Sequence, residues 1–377
     1  MARAARGRPL GACRPDAGRA AAHPGSIRRM TALWPDVLAR LLRRDDLPAE
    51  LAAAAMAEIL AGKATDAQIA GFAVALRAKG ETPEELAALV GAMLAVGERV
   101  ELDRSAGPIV DTCGTGGDLA GTVNVSTMAA IVTAASGVRV AKHGGRAASS
   151  KCGSVDVLET LGVVVDLGPA GGARCVDEVG IGFCFAQRFH PAMRFAAPVR
   201  AQLGVPTTFN FLGPLANPAG ADRRTVGVSD PVMAHRVVRT LGQLGVQRAM
   251  VFHGHDGLDE LTVTTTSAVH ELVDGAVQVY DVDPADYGIA HAERGSLAGG
   301  DAAGNAAITH QVVAGAQGPV RDIVTLNAAA ALVVSDAVPD LGAGVELARA
   351  VIDDGRAAAT LEAFVRVSVA ARESGAA

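Results

Sequence analysis

From Leu33 to Val100 the apolar positions recur at helical spacing, as at Ile69, Phe72, Ala73 and Leu76, and the start and stop signals are helical ones. Asp46-Leu47-Pro48 opens one helix and Gly62 closes it. Thr65 with Gln68 forms a capping-box pattern closed by Gly80, and Thr82-Pro83-Glu84-Glu85 joins a cap, a first-turn proline and a second box. This pattern predicts an all-helical block of about four helices, with apolar faces to spare for a subunit interface. After Val100 short β-branched runs alternate with Ala-rich helical runs: Pro108-Ile109-Val110, then Met128 to Ala135, then Val138-Arg139-Val140. Gly137 and Gly162 stand where helices end, each followed by a further strand, the second being Val163-Val164-Val165-Asp166. Such alternation implies a parallel sheet with helices on its faces and ligands gathered at the carboxyl ends of the strands.

The expected organisation is α/β: a disordered or mis-started Arg/Ala-rich tail over 1–30, a small N-terminal all-helical domain over 31–104, and a larger α/β domain over 105–377. The helical domain is expected to be completed by helices from about 190–218, and the larger domain to hold a mainly parallel central sheet flanked by helices.

Composition narrows the function classes. Half of the 377 residues are apolar and 3% are aromatic, and 34 basic residues face 40 acidic ones. Neither stacking platforms nor a phosphate-tracking basic surface is evident, so no nucleic-acid partner is expected. No apolar run approaches the ~20 residues of a membrane span. The five cysteines form no CxxC pair, which suits free thiols in a cytoplasmic protein. Only four lysines occur (Lys63, Lys79, Lys142, Lys151), and two of them lie in one motif-like stretch.

Four constellations carry candidate chemistry. The first runs from Asp111 through Gly114-Thr115-Gly116-Gly117-Asp118 and Gly121-Thr122-Val123-Asn124-Val125-Ser126-Thr127, out of a strand and into a helix. Its glycines let backbone N–H groups approach phosphate oxygens, and Asn124, Ser126 and Thr127 bring donors to a helix N-terminus that favours an anion. The spacing fits neither GxGxxG nor the Walker lysine loop. The second is Lys142-His143-Gly144-Gly145-Arg146-Ala147-Ala148-Ser149-Ser150-Lys151, followed by Ser154, whose cations and hydroxyls suit pyrophosphate. Two such loops point to a substrate with phosphate at both ends, of which phosphoribosyl pyrophosphate is one. The third is Asp259-Glu260 on a loop after Met250-Val251-Phe252, where adjacent carboxylates suit a shared hard cation. The fourth is His190-Pro191-Ala192-Met193-Arg194 with Arg200, Asn210 and Gly213-Pro214-Leu215; Arg188, Arg194 and Arg200 are equal candidates to pair with a substrate carboxylate.

Taken in order and spacing, these motifs resemble the anthranilate phosphoribosyltransferase family of tryptophan biosynthesis, from about Leu33 to the C-terminal helices. The resemblance implies that Gly114, Gly117, Asp118, Thr122, Asn124, Val125, Ser126, Thr127, the stretch Lys142 to Ser150 and Ser154 surround phosphoribosyl pyrophosphate. It implies two magnesium ions on Ser126, Asp259 and Glu260, and anthranilate near Gly114, Gly145 and Arg194. A homodimer through the helical domain is also implied. The chain departs from the resemblance at Gly145, where an asparagine that helps hold anthranilate is expected.

The residue types require no covalent nucleophile, because an arylamine attacks an electron-poor sugar carbon directly; magnesium and Lys142 are expected to stabilise the charge on departing pyrophosphate. A pyrimidine nucleoside phosphorylase-like enzyme shares the expected architecture, but the Asp259-Glu260 pair and the region of Arg194 favour the transferase. A non-enzymatic nucleic-acid-binding relative should lack the phosphate motif that this chain keeps.

Overall fold

A computed structural model of the chain describes residues 33–118, 120–147 and 151–375; the expected tail over 1–30 lies outside them. Helices α1 (Leu33–Leu42), α2 (Ala49–Leu60), α3 (Asp66–Lys79) and α4 (Pro83–Val96) come first. Both capping boxes are formed. Thr65 and Thr82 each accept from the backbone of the residue three positions on, and Gln68 and Glu85 return to accept the threonine N–H at 2.8 Å. Ile69, Phe72, Ala73 and Leu76 are all buried, so the helical periodicity marks a packing face. Truncating Phe72 to alanine there costs about 3–5 kcal/mol.

The rest of the chain runs β1 (Ile109–Gly114), α5 (Val125–Ala135), β2 (Arg139–Gly144), α6 (Ser154–Thr160), α7 (Pro169–Val179), β3 (Ile181–Phe185), α8 (Ala186–Phe189), α9 (Ala197–Leu203) and α10 (Phe209–Leu215). It continues with β4 (Arg223–Gly227), α11 (Pro231–Gln243), β5 (Arg248–Gly254), β6 (Ser267–Val273) and β7 (Ala276–Val282), and closes with α12 (Ala302–Val313), α13 (Pro319–Val334), α14 (Leu341–Asp353) and α15 (Arg356–Glu373). The sheet order is β3-β2-β1-β4-β5-β6-β7. Its first five strands are parallel, and β6 and β7 add an antiparallel edge. The chain reverses direction across the sheet between β1 and β4, the place where a ligand crevice opens in such sheets.

The segment Val163 to Asp166 is not a strand. Val163 and Val165 are buried, yet the backbone of Val163 bonds to Leu158 at the end of α6 and that of Val164 bonds to Ser368 on α15. An apolar run thus joins the core without joining the sheet, and the third strand comes only after α7.

Two large apolar clusters flank the sheet. One joins α5 and the C-terminal helices to residues of β1, β2, β3 and β5. The other joins α1–α4 to α9, α10 and α11 and to Cys113, Val226 and Val251 of the central strands. The helical block therefore shares a core with one face of the sheet. Among the described residues no helix is long and apolar enough to cross a membrane.

Candidate functional site

Four of the five parallel strands end in glycine, at Gly114, Gly144, Gly227 and Gly254, and all four ends face the same edge of the sheet. None of the four has the positive φ that favours glycine. Close approach explains them. A Cβ on Gly227 would lie 1.6 Å from the carbonyl oxygen of Asp259, one on Gly114 would lie 2.4 Å from an Asp259 carboxylate oxygen, and one on Gly254 would lie 2.6 Å from Asp256 Oδ1. At Gly114, Gly227 and Gly254 the strand ends are bare so that the loop from Asp256 to Glu260 can lie across them, whereas a Cβ on Gly144 would meet the Phe183 ring at 3.0 Å.

That loop is pinned from several sides. Gly116 N–H donates to Asp259 Oδ2 at 2.7 Å, which joins the acid pair to the first glycine loop. Asn327, buried on α13, accepts from Leu261 N at 3.0 Å and donates to Leu261 O at 2.9 Å. Asp256 accepts from Thr262 Oγ1 and from the Leu258 backbone.

Above the glycine strand ends is a cavity of about 600 Å³. Its wall includes Gly114, Gly117, Asp118, Thr122, Asn124, Val125, Ser126, Lys142, His143, Gly144, Gly145, Arg146, Ala147, Ser154, Asp259 and Glu260. Sequence reasoning placed each of these at a binding site, and the fold brings them to one wall. Thr127 is not among them: it is buried in the first turn of α5 with its hydroxyl unpartnered among the described residues. Ala148, Ser149 and Ser150 lie outside the described residues. The wall also takes in Asn210 and, less expectedly, Gly299, Gly300 and Asn305. Gly299-Gly300 before a helix was a readable signal, but nothing in its spacing ties it to loops about 180 residues earlier.

Electrostatics follow from burial. Asp259 and Glu260 are 8% and 9% exposed. Burial and the neighbouring charge of Asp118 push Asp259 up to about 7, and burial with the charge of Asp259 raises Glu260 well above the usual carboxylate range. Lys142 is 2% exposed; it donates to the Thr112 carbonyl and, at 3.3 Å, to Ser126 Oγ. Burial lowers its pKa, and the carboxylates of Asp111, Glu260 and Asp259 oppose that shift. His143 Nδ1 lies 3.0 Å from the Gly213 carbonyl, so that nitrogen carries the proton, and burial holds the ring well below its usual pKa. His143 Nε2 is then an acceptor with no partner among the described residues.

The remaining cations divide sharply. Arg146 lines the cavity, but its guanidinium bonds to Asp156 at 3.0 Å and to both oxygens of Glu159 at 2.9 Å, so its charge is already matched. Arg194 is exposed and lies outside the cavity wall, with its guanidinium 4.5 Å from the Phe195 ring centroid and donating to Pro191 O. Arg188 faces Glu98 at 3.6 Å. Arg200 also lies outside the cavity wall; it is sunk enough that burial lowers its pKa, and it sits 6.0 Å from the Phe209 ring centroid with no acid partner among the described residues.

The donor set suits magnesium. Asp118, Asp259, Glu260 and the Ser126 hydroxyl offer hard oxygens only. Among the described residues no three acidic, histidine or cysteine side chains close into a cage. Magnesium is typically held by one or two carboxylates, with waters and substrate phosphates completing its shell.

Two glycine loops, a buried lysine and a carboxylate pair thus line one cavity at the switch point of a parallel sheet, beside a helical block. Residues 35–97 match the helical bundle domain of the glycosyl transferase family, and residues 106–358 match its a/b domain. The chain is 54% identical over 337 residues to the anthranilate phosphoribosyltransferase of Nocardioides sp., covering 88% of this chain and 98% of that one. The crystal structure of the Thermus thermophilus enzyme of that name is similar with a TM-score of 0.83 at 41% identity, covering 88% of this chain and 99% of that one. The Saccharomyces cerevisiae enzyme in complex with phosphoribosyl pyrophosphate and magnesium is similar with a TM-score of 0.82 at 26% identity, covering 90% and 99%; it is also known in complex with 4-fluoroanthranilate. The chain belongs to the anthranilate phosphoribosyltransferase family.

Proposed function

We propose that this enzyme transfers the phosphoribosyl group of phosphoribosyl pyrophosphate to the amino group of anthranilate, giving N-(5-phosphoribosyl)anthranilate and pyrophosphate in tryptophan biosynthesis. The observation that carries the reading is the convergence of both glycine loops and the Asp259-Glu260 pair on one cavity wall, in a chain of this family.

The donor lies along the two loops. N–H groups of the first loop and the amide of Asn124 hold phosphate oxygens at the start of α5, where the helix dipole favours them. Two magnesium ions, on Ser126, Asp259 and Glu260 and supported by Asp118, would supply charge neutralisation on the pyrophosphate. The ammonium of Lys142, fixed at the cavity wall between Thr112 O and Ser126 Oγ, stabilises the negative charge that grows as the C1–O bond breaks. Lys151 is the second-loop cation left exposed to meet the donor.

The acceptor sits toward His143 and Asn210. Its neutral amine attacks the electron-poor sugar carbon without a covalent intermediate as pyrophosphate departs, and the proton the amine sheds leaves with pyrophosphate or water. The family resemblance implies Arg194 as the partner of the anthranilate carboxylate. Neither arginine lines the cavity, and we favour Arg200 because it is desolvated and without an acid partner among the described residues while Arg194 is exposed and stacked on Phe195. Gly145 leaves open space: a Cβ there would meet only Ala186 Cβ at 3.9 Å.

We also infer a homodimer through the helical domain, supported by Leu42, Val74 and Val96, which stand 79%, 45% and 57% exposed on its helices. Cytoplasmic action is consistent with the free, buried thiols of Cys113, Cys175 and Cys184. The test of the reaction is loss of anthranilate fluorescence on adding phosphoribosyl pyrophosphate and magnesium, omitting each in turn. Loss that needs all three is expected; no loss with all three present overturns the assignment.

A further inference from the structure

The segment from Leu297 to Asn305 is stitched to the first glycine loop although neither sequence pattern marks it as part of a site. Val123 N–H donates to Leu297 O, Gly299 N–H donates to Gly121 O, and Thr122 bridges Ala298. A Cβ on Gly299 would lie 2.7 Å from Thr122 O, so the two segments meet backbone to backbone.

Asn305, 2% exposed one turn into α12, completes the join. Its Oδ1 accepts from Gly300 N–H at 2.7 Å and its Nδ2 donates to Asn124 Oδ1 at 2.8 Å, which also takes the longer Cys152 Sγ–H bond at 3.5 Å; Asn124 Nδ2 in turn donates to Cys152 O at 3.1 Å. The polarity of this relay is fixed at both ends. A backbone N–H can only donate and a backbone carbonyl can only accept, so neither amide can flip without losing two bonds. Among the described residues Asn124 is thereby left with one N–H unpaired and its carbonyl occupied, as an anion requires of a donor on the cavity wall.

We propose that Asn305 is a positioning residue of the phosphoribosyl pyrophosphate site: it sets the orientation of the Asn124 amide so that a donor, rather than an acceptor, faces the phosphate. The proposal rests on the reading that Asn124 contacts this substrate. It assigns a role to a C-terminal helix about 180 residues from the loop it serves, and it makes the amide of Asn124 a fixed part of the site before substrate arrives.

The test is a double-mutant cycle on the full-length enzyme. Asn124→Ala, Asn305→Ala, Asn305→Asp and the two combinations with Asn124→Ala are compared by calorimetric titration with phosphoribosyl pyrophosphate and magnesium, with thermal unfolding alongside. Asn305→Asp keeps the size and the bond to Gly300, so it serves if alanine fails to fold; its carboxylate cannot donate to Asn124 and turns that amide around. Asn124→Ala and Asn305→Ala are each expected to weaken binding roughly tenfold, the order expected for one hydrogen bond to a charged group. With Asn124 already alanine, Asn305→Ala should weaken binding no further, and KM for the donor should rise with little change in kcat. Equal losses in both backgrounds, or no loss from either Asn305 variant, would overturn the relay. If Asn124→Ala itself leaves binding unchanged, the placing of the donor at Asn124 fails first, and the proposal falls with it.

Discussion

Gly227 gives the sharpest test of how the acid pair is held. Replacing it by alanine puts a methyl group 1.6 Å from the carbonyl oxygen and 2.4 Å from the carbonyl carbon of Asp259, both backbone atoms that no side-chain rotation can move. An ordinary contact between such atoms is about 3.5 Å, so the loop must retreat by roughly 2 Å. It cannot do so freely, because Leu261 is held at both backbone groups by Asn327 and Asp259 is tied to Gly116. Overpacking of this kind costs about 1–3 kcal/mol of stability, which a chain with two large cores should survive. Function is less forgiving: binding constellations tolerate about 0.5 Å, and a misplacement of ~1 Å can cost ~100-fold in rate. Gly227→Ala is therefore expected to remain folded by circular dichroism, to need more magnesium for half-maximal turnover, and to lose at least ~100-fold in kcat/KM by anthranilate fluorescence. Gly91→Ala is the control, since Gly91 is exposed on α4, its methyl would meet nothing within 4 Å, and it should turn over near the parent rate. A folded Gly227→Ala enzyme with the parent magnesium dependence would refute the argument that the bare strand ends exist to seat Asp259 and Glu260.

Three further outcomes follow from the same geometry. Arg200→Ala should raise KM for anthranilate by about tenfold or more while Arg194→Ala leaves it nearly unchanged, the loss of a charged partner being worth roughly 1.5–3 kcal/mol; the reverse order would return the role to Arg194. Lys142→Met, which keeps length and removes charge, should lower kcat by about 100-fold with the donor still bound, and an unimpaired variant would remove the ammonium from the mechanism. The third concerns pH. The carboxyl of Asp259 is raised to about 7 in the folded enzyme, so without a cation its contribution to stability is fully present below its ordinary value of 3.8 and is lost as pH rises through about 7. Magnesium with phosphoribosyl pyrophosphate should offset that loss, so the rise in melting temperature on adding both should be larger at pH 8 than at pH 5; an equal rise would mean that the acid pair does not meet the cation.

What the sequence made legible was local. Capping boxes at Thr65 and Thr82, the strand-to-glycine-loop-to-helix runs at Asp111 and Lys142, and the acid pair at 259–260 each declare themselves within a few residues, and all of them reappear where the fold puts them. What stayed hidden depends on a partner far along the chain. Val163 to Asp166 has a strand's composition, and only the hydroxyl of Ser368 and the end of α6 show that its backbone is already engaged. Arg146 lines the cavity as its loop suggests, but only the fold shows that Asp156 and Glu159 on the next helix also pair with its guanidinium. Arg194 and Arg200 are equivalent as letters and differ in burial, a property of the fold.

The glycines show the same division at its finest. Gly114 and Gly144 stand out in sequence because they sit in glycine-rich loops, whereas Gly227 and Gly254 look like the plain ends of strands. Yet none of the four needs glycine for its backbone angles. Gly227 is the most constrained of them, for its missing side chain is the space that a loop 32 residues later occupies. A residue's conformational preference can be read from its neighbours in sequence, but an excluded volume can be read only from its neighbours in space. The seat of the acid pair was therefore the part of this site that motif spacing could not supply, although the acid pair itself could be named.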